Sequence, residues 1–184
     1  KAEVFGTLFY RDRTNGQYSS RAIYNTSDFG SASRSYNNSI HETIEATINY
    51  AKTIGEHNFV ALAGYSYEHN SRENFNLNNS NFDSDIFSYH NLQAGSNLLN
   101  DPTQSMMGSG ISQSNLASFF GRINYTYNAK YLVSGSVRYE GSTRLGLNNK
   151  WGTFPAVSLG WIASNEEFLS GSSSIDFLKL RLGY

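Results

Sequence analysis

A period-two alternation of apolar and polar side chains, short turns alternating with long polar loops, and an abundance of aromatic rings predict an all-β chain. Its strands read as the wall of an antiparallel transmembrane β-barrel. The alternation is cleanest after Leu116. Ala117, Phe119, Gly121, Ile123, Tyr125 and Tyr127 place apolar or small side chains on odd positions, while Ser118, Arg122, Asn124 and Thr126 hold even ones. Leu116 and Phe120 break the rule. Beyond Asn128-Ala129-Lys130, the residues Tyr131, Val133, Gly135, Val137 and Tyr139 alternate in the same sense with Ser134, Ser136, Arg138 and Glu140. Aromatic residues make up 15% of a chain whose mean hydropathy is −0.48, so large rings sit in a polar background.

Seven strands are predicted in all. The first, at residues 3–13, ends where a polar run begins at Thr14. The second, 40–53, alternates Ile44, Ala46, Ile48 and Tyr50 with Thr43, Glu45, Thr47 and Asn49. The third, 57–68, is apolar on both parities from Phe59 to Tyr65, as in a strand buried on both faces. The fourth and fifth, 116–127 and 131–140, are the pair described above. The sixth covers 154–162. In the seventh, 175–184, Leu178, Leu180, Leu182 and Tyr184 alternate with Lys179, Arg181 and Gly183. The connections at 54–56 and 128–130 are short and that at 163–174 is moderate, whereas 14–39, 69–115 and 141–153 are long. Long and shorter connections alternate strictly, and in outer-membrane barrels short turns face the periplasm and long loops the outside. The first strand should therefore run outward.

Several function classes are excluded on composition. Lys and Arg number 14 against 15 Asp and Glu, a net charge of −1, so no basic field draws nucleic acid. There is no cysteine, hence no disulfide framework and no thiolate metal site. The longest apolar run, Phe59-Val60-Ala61-Leu62-Ala63-Gly64-Tyr65, is far short of the ~20 residues of a transmembrane helix. The chain starts at Lys1 without a signal pattern and stops at Tyr184 within a predicted strand, so it reads as a fragment of a longer polypeptide. His41, His57, His69 and His90 lack ligand spacing, and Asp83-Ser84-Asp85 lacks the Gly and Glu of a helix-flanked calcium loop, so no metal is expected. No Gly-x-Ser-x-Gly elbow or phosphate-cradling loop is present. Neither catalytic residues nor a cofactor are expected, and the chain does not read as an enzyme.

The stretch Asn148-Asn149-Lys150-Trp151-Gly152-Thr153-Phe154-Pro155-Ala156-Val157-Ser158-Leu159-Gly160-Trp161 resembles the late barrel of the SusC/RagA family of TonB-dependent outer-membrane transporters. That family carries Asn-Asn-x-Trp-Gly-x-Phe-Pro-Ser-x-Ser-x-Gly-Trp, and Ala156 is the one departure. Leu116 to Tyr125, Lys130-Tyr131-Leu132, Asn165-Glu166-Glu167-Phe168-Leu169 and Leu178-Lys179-Leu180-Arg181 are similar to flanking parts of the same family. Where it tends to have Arg-x-Asp-Gly-Ser-Ser-Arg-Phe-Gly, this chain has Arg138-Tyr139-Glu140-Gly141-Ser142-Thr143-Arg144-Leu145-Gly146. The resemblance implies that residues 1–184 are part of one barrel domain of ~22 strands with a plugged lumen. The plug and the TonB-contacting segment are absent from this chain. It further implies a Gram-negative, Bacteroidota-like outer membrane, a SusD-like surface lipoprotein and TonB as partners, and an oligosaccharide or peptide as cargo.

On this reading Arg122, Arg138, Lys179 and Arg181, on the polar parity, face the lumen. They either attract a polar solute or join a network with Glu45, Glu140 or plug carboxylates. Tyr125, Tyr127, Tyr131, Tyr139, Phe154 and Trp161 form interfacial aromatic belts against outer-membrane lipid, while Trp151, Phe154 and Trp161 are the candidates for stacking on a sugar ring instead. Cargo or lid contacts are expected in the loops 72–107 and 141–153. Two alternatives stay open: a channel or adhesin barrel without energy coupling, and a soluble carbohydrate-binding β-sandwich, whose apolar parity would have to bury against a second sheet.

Overall fold

The computed structural model describes residues 1–21, 30–97, 107–169 and 175–184. Its strands are β1 (Ala2–Ser19), β2 (Ser31–Ile54), β3 (His57–Ser80), β4 (Met107–Tyr127), β5 (Tyr131–Ser142), β6 (Trp151–Ile162) and β7 (Lys179–Gly183). All seven belong to one sheet, ordered along the chain from β1 to β7. The β4–β5, β5–β6 and β6–β7 pairings are antiparallel. Among the described residues, three short 3-10 turns, Ser88–His90, Leu92–Ala94 and Ala163–Asn165, interrupt the connections.

The turns follow the residues that build them. Gly55 opens the β2–β3 turn at φ +59°, a backbone that costs glycine nothing. After β4, Asn128 and Ala129 both adopt left-handed φ, 49° and 51°, and the Lys130 amide donates to the Tyr127 carbonyl at 3.0 Å. That is a type I′ turn, whose twist matches the flanking strands. Asn suits its first central position, while Ala stands where Gly is favoured.

Strand lengths depart from expectation in one direction. β1 to β4 extend through residues 14–19, 31–39, 69–80 and 107–115, which read as loop. Both parities there are rich in Asn and Ser, so the period-two signal vanishes although the ladder continues. At 24 residues each, β2 and β3 far exceed the ~9–11 residues that cross a bilayer. In contrast, β7 begins at Lys179, and residues 175–178 precede it.

The chain divides into two compact units. One contains Lys1–Thr7, Glu42–His69 and Ser114–Tyr184; the other contains Leu8–His41 and Asn70–Gln113. In the first, Ala163 is the buried apolar residue among those described, while Ile48, Phe119, Ile123, Val137, Val157 and Leu159 are all exposed. Phe59 and Val60, at 39% and 38%, are also open, so β3 is not a strand buried on both faces. No second sheet covers these side chains among the described residues, which removes the premise of the β-sandwich. In the second unit, Phe82 and Ala32 are buried, and the buried Asn79 amide donates to the carbonyls of Leu92 and Gly95, both at 2.8 Å.

Candidate functional site: the two faces of β3–β6

Register assigns every side chain to a face. β4 pairs β5 through Ile123↔Gly135 and Tyr127↔Tyr131, and β5 pairs β6 through Gly135↔Val157 and Tyr131↔Trp161. Directly opposed residues share a face, so odd positions of these three strands line one side and even positions the other. β6 pairs β7 through Trp161↔Leu180 and Gly160↔Arg181. Leu180 and Leu182 therefore join the odd face, and Lys179 and Arg181 the even one.

Rings gather in two rows on the odd face. Near the short turns, His57 packs on Tyr127 with centroids 4.9 Å apart, Phe59 on Tyr125 at 4.8 Å, and Tyr127 on Tyr131 at 6.3 Å. The Tyr125 hydroxyl also meets His57 Nδ1 at 2.7 Å. At the far end, Tyr65 meets Phe119 at 5.0 Å and Tyr139 stacks on Trp151 at 4.7 Å. Between the rows, Ala61, Ala63, Gly121 and Gly135 floor a shallow apolar groove edged by Ile48, Tyr50, Val137 and Val157. Trp151 and Trp161 lie ten positions apart on β6. At about 3.3 Å per residue and a tilt near 40°, that is about 25 Å of height, the thickness of a barrel's apolar band.

A carboxylate anchors the near row. Glu166, just past the 3-10 turn Ala163–Asn165, accepts from Tyr131 Oη at 2.7 Å, Lys130 Nζ at 3.0 Å and Trp161 Nε1 at 3.1 Å. The Tyr131 hydroxyl foremost, then Lys130 and Trp161, hold its carboxyl down at about 2. Asn165 Nδ2 donates to the Ala129 carbonyl at 2.8 Å, tying the same loop to the type I′ turn. Sequence reasoning does not single out Glu166 as the common acceptor of Tyr131 and Trp161. Its five-residue separation from Trp161 was the available hint.

One placement corrects the sequence reading. Phe154 lies directly opposite Arg138, so it shares the even face and not that of Trp161. Trp151 stacks on Tyr139 and covers Gly141, where a Cβ would meet its indole at 2.5 Å, and the ring stays 46% exposed. Tyr125, Tyr127, Tyr131 and Tyr139 lie on the odd face with Trp161.

The even face is polar with an aromatic row across it. Arg138 sits between Phe120 and Phe154 in register; its guanidinium lies 5.8 Å from the Phe120 ring centre and 2.6 Å from Glu140. Phe120 broke the alternation, and Gly64 on β3 explains it: the ring occupies the space that a Cβ there would need. Arg122, Lys179 and Arg181 share the face without an ion pair among the described residues.

Of the two loops where contacts were expected, residues 72–80 are strand and 98–106 lie outside the described residues. Residues 81–97 form a loop held by Asp85, which accepts from Tyr18 Oη, from Ser20 Oγ at 2.7 Å and from the Arg21 amide at 3.3 Å. These donors, Tyr18 first, hold the Asp85 carboxyl below the usual carboxylate range. Arg21 Nη1 donates to the Asp83 carbonyl at 2.6 Å. The loop between β5 and β6, residues 143–150, is exposed at Leu145 and Leu147. His41 Nδ1 faces Asn70 Oδ1 at 2.7 Å and His69 Nδ1 faces Asn115 Oδ1 at 2.6 Å.

No protein-family model matches the chain. It is 32% identical over 155 residues to TonB-dependent receptor P3 of Formosa agariphila, covering 84% of this chain and 15% of that protein. To TonB-dependent receptor P39 of the same organism it is 37% identical over 141 residues, 76% of this chain and 13% of the relative. To TonB-dependent receptor SusC of Bacteroides thetaiotaomicron it is 32% identical over 137 residues, 74% and 13% respectively. Among solved structures, the RagAB peptide transporter superposes with a TM-score of 0.85 at 21% identity, over 99% of this chain and 20% of that one. The RagAB peptide importer in its open-open state gives 0.81 at the same identity. The chain thus spans about 13 to 15% of the length of these curated relatives, and the structural likeness shows the fold.

Proposed function

Because the chain belongs to the SusC/RagA family of TonB-dependent receptors, we propose that it supplies seven consecutive strands to the barrel of an outer-membrane importer, odd face to lipid and even face to lumen. The supporting observation is the pair of aromatic rows on one face of β3–β6, about 25 Å apart with apolar residues between them. A lipid-facing wall demands that arrangement, because rings with polar tips settle at headgroup level and aliphatic side chains between them. Tyr131 and Trp161 turn their polar atoms to Glu166 at the turn, as interfacial residues do. The Arg122, Arg138, Lys179 and Arg181 side chains line the lumen on the same reading, with Phe154 beside them.

In the complete polypeptide, this wall encloses a plug and works with TonB and a SusD-like surface lipoprotein, through segments outside these 184 residues. The cargo class is an oligosaccharide or a peptide, and the RagAB neighbours, described as peptide transporters, support the second. Loop 81–97, held by Asp85 and Asn79, is the described segment assigned on this reading to cargo or lid-protein contact. Spin labels at Val157 and Ala156 of the complete transporter in bilayers test the orientation. Oxygen, which concentrates in lipid, should relax the label at Val157, and a water-soluble nickel chelate the label at Ala156. Equal access of the chelate to both positions would reject it.

A further inference from the structure

A polar pocket lies wholly within the unit that contains Leu8–His41 and Asn70–Gln113. Asn15 Nδ2 donates to Ser35 Oγ at 3.3 Å, which puts odd positions of β1 and β2 on one face. Tyr36 stacks on Phe75 at 5.3 Å, which puts even positions of β2 and odd positions of β3 on the other. Ser31 and Ser33 therefore share a face with Gln17 of β1 and with Asn78 and Ser80 of β3. The loop after β3 closes on this end of the sheet. Gly95 bridges to Phe82, and a Cβ on it would stand 2.6 Å from the Ser80 carbonyl oxygen, so glycine is what permits the approach. The Ser96 amide then donates to the Asn81 carbonyl at 3.0 Å, and Asn97 follows as a further lining residue. The pocket encloses about 320 Å³, and no charged side chain lines it among the described residues. Tyr18, at its margin, is committed to the Phe82 ring and to Asp85. β2 and β3 each have a strand on either side, so the pocket does not depend on the open edge of β1.

We propose that Ser31, Ser33, Asn78, Ser80 and Asn97 form a subsite for one uncharged sugar ring, which makes the cargo a neutral oligosaccharide. Serine hydroxyls and asparagine amides each donate and accept hydrogen bonds. So does every sugar hydroxyl, and a ring that carries hydroxyls in several directions finds a partner on each wall. A peptide asks for a free strand edge, a hollow for an apolar side chain or a counter-charge for a terminus. The floor here is β2 and β3, already paired on both sides, and the lining has neither a large aliphatic side chain nor a charge. An acidic sugar would likewise bury its anion without a cation to meet it. Size agrees with one ring: about 320 Å³ is at the lower end of the ~300–1,000 Å³ of small-molecule sites. The likeness to the RagAB peptide transporter, at 21% identity, shows the fold and leaves the cargo to this chain's own side chains. The inference rests on the proposed function in one respect, since Asn78 and Ser80 hold the even parity of β3 that is read as facing the lumen.

The test uses the complete transporter, purified in an amine-oxide detergent that carries no sugar and applied to an array of neutral and acidic oligosaccharides, with retention of casein-derived peptides measured beside it. It should hold neutral glycans and neither of the other probes. Ser33→Asp, which brings a carboxylate into the pocket, should weaken that binding at least about tenfold, while Ser33→Thr, which keeps the hydroxyl, should retain it. Heat-modifiable migration reports whether each variant forms the barrel. Asn78→Ala, which removes an amide without adding charge, gives a second measurement should Ser33→Asp not fold, with a smaller loss expected. Retention of peptides or acidic glycans alone, of no probe at all, or of neutral glycans equally by every folded variant overturns the proposal. The spin labels at Val157 and Ala156 separate this failure from that of the lumen reading. Labels on the expected faces with no neutral glycan held reject the sugar subsite alone. A neutral glycan lost in Ser33→Asp with the labels reversed keeps the sugar site and rejects its place in the lumen, and with it the assignment as cargo.

Discussion

Glu166 shows how one carboxylate can organise several side chains around a turn. With three donors converging on it, its carboxyl titrates at about 2 in the folded protein against an ordinary 4.5. A group whose folded pKa is lowered stabilises the protein above its unfolded pKa and loses that contribution as pH falls through the folded value. The Glu166 contribution should therefore be complete at pH 7, begin to fade near the unfolded value of 4.5, and vanish close to pH 2. Replacing Glu166 with Gln should lower the unfolding midpoint of the complete barrel at neutral pH. It should also flatten the acid limb between those two values, read by heat-modifiable migration across a pH series. Ala129 offers the opposite change. Its left-handed φ of 51° costs an L-residue about 1–2 kcal/mol, so Ala129→Gly should relieve strain and, after glycine's greater unfolded freedom is subtracted, stabilise by about 0.5–1 kcal/mol. A urea titration of folding into vesicles would show it as a higher midpoint with an unchanged slope.

Individual strands reveal which features the sequence could disclose. From Leu116 onward the parity rule alone placed Tyr125, Tyr131, Trp161, Lys179 and Arg181 on the faces where register puts them. It failed where cross-strand shape decides. Phe120 is on the polar parity because Gly64 opposite leaves a gap for a ring, and that pairing is invisible without the register of β3 against β4. Phe154 was assigned by its chemistry, an aromatic near a strand end, although its even position already opposed it to Trp161. The extensions of β1–β4 were illegible for a simpler reason: with Asn and Ser on both parities, backbone pairing leaves no hydrophobic rhythm. A second covered glycine, Gly141 beneath Trp151, gives a test. Gly141→Val should expel the indole from its stack on Tyr139 and destabilise the barrel by about 1–3 kcal/mol. An adjacent change at Ser142, which lies on the even face, should cost far less. Chemical-denaturation midpoints of the two variants would separate a packing role for Trp151 from a free ring awaiting a ligand.

At the scale of the molecule, the decisive property is a sheet with large apolar residues open on one face and no covering layer among the described residues. Val157 is 53% and Leu159 50% exposed, and Leu180 and Leu182 continue the same surface. Water would make such a surface adhesive, while a bilayer satisfies it. Both outermost strands, β1 and β7, also present unpaired backbone groups that a closed barrel would pair with further strands. The 20.5 kDa chain expressed alone should accordingly aggregate in buffer and fail to give a heat-modifiable species. Within the complete transporter, the same residues should fold only with lipid or detergent. The two faces should then respond unequally to charge. Val157→Arg, at mid-band on the odd face, should cost about 2–4 kcal/mol of insertion free energy, whereas Ser158→Arg on the even face should fold nearly as well as the parent. Folding yields into vesicles for the two neighbours decide the matter: a comparable loss at both would mean that neither face meets lipid preferentially, and a monomeric, detergent-free 20.5 kDa species would return the chain to the soluble class.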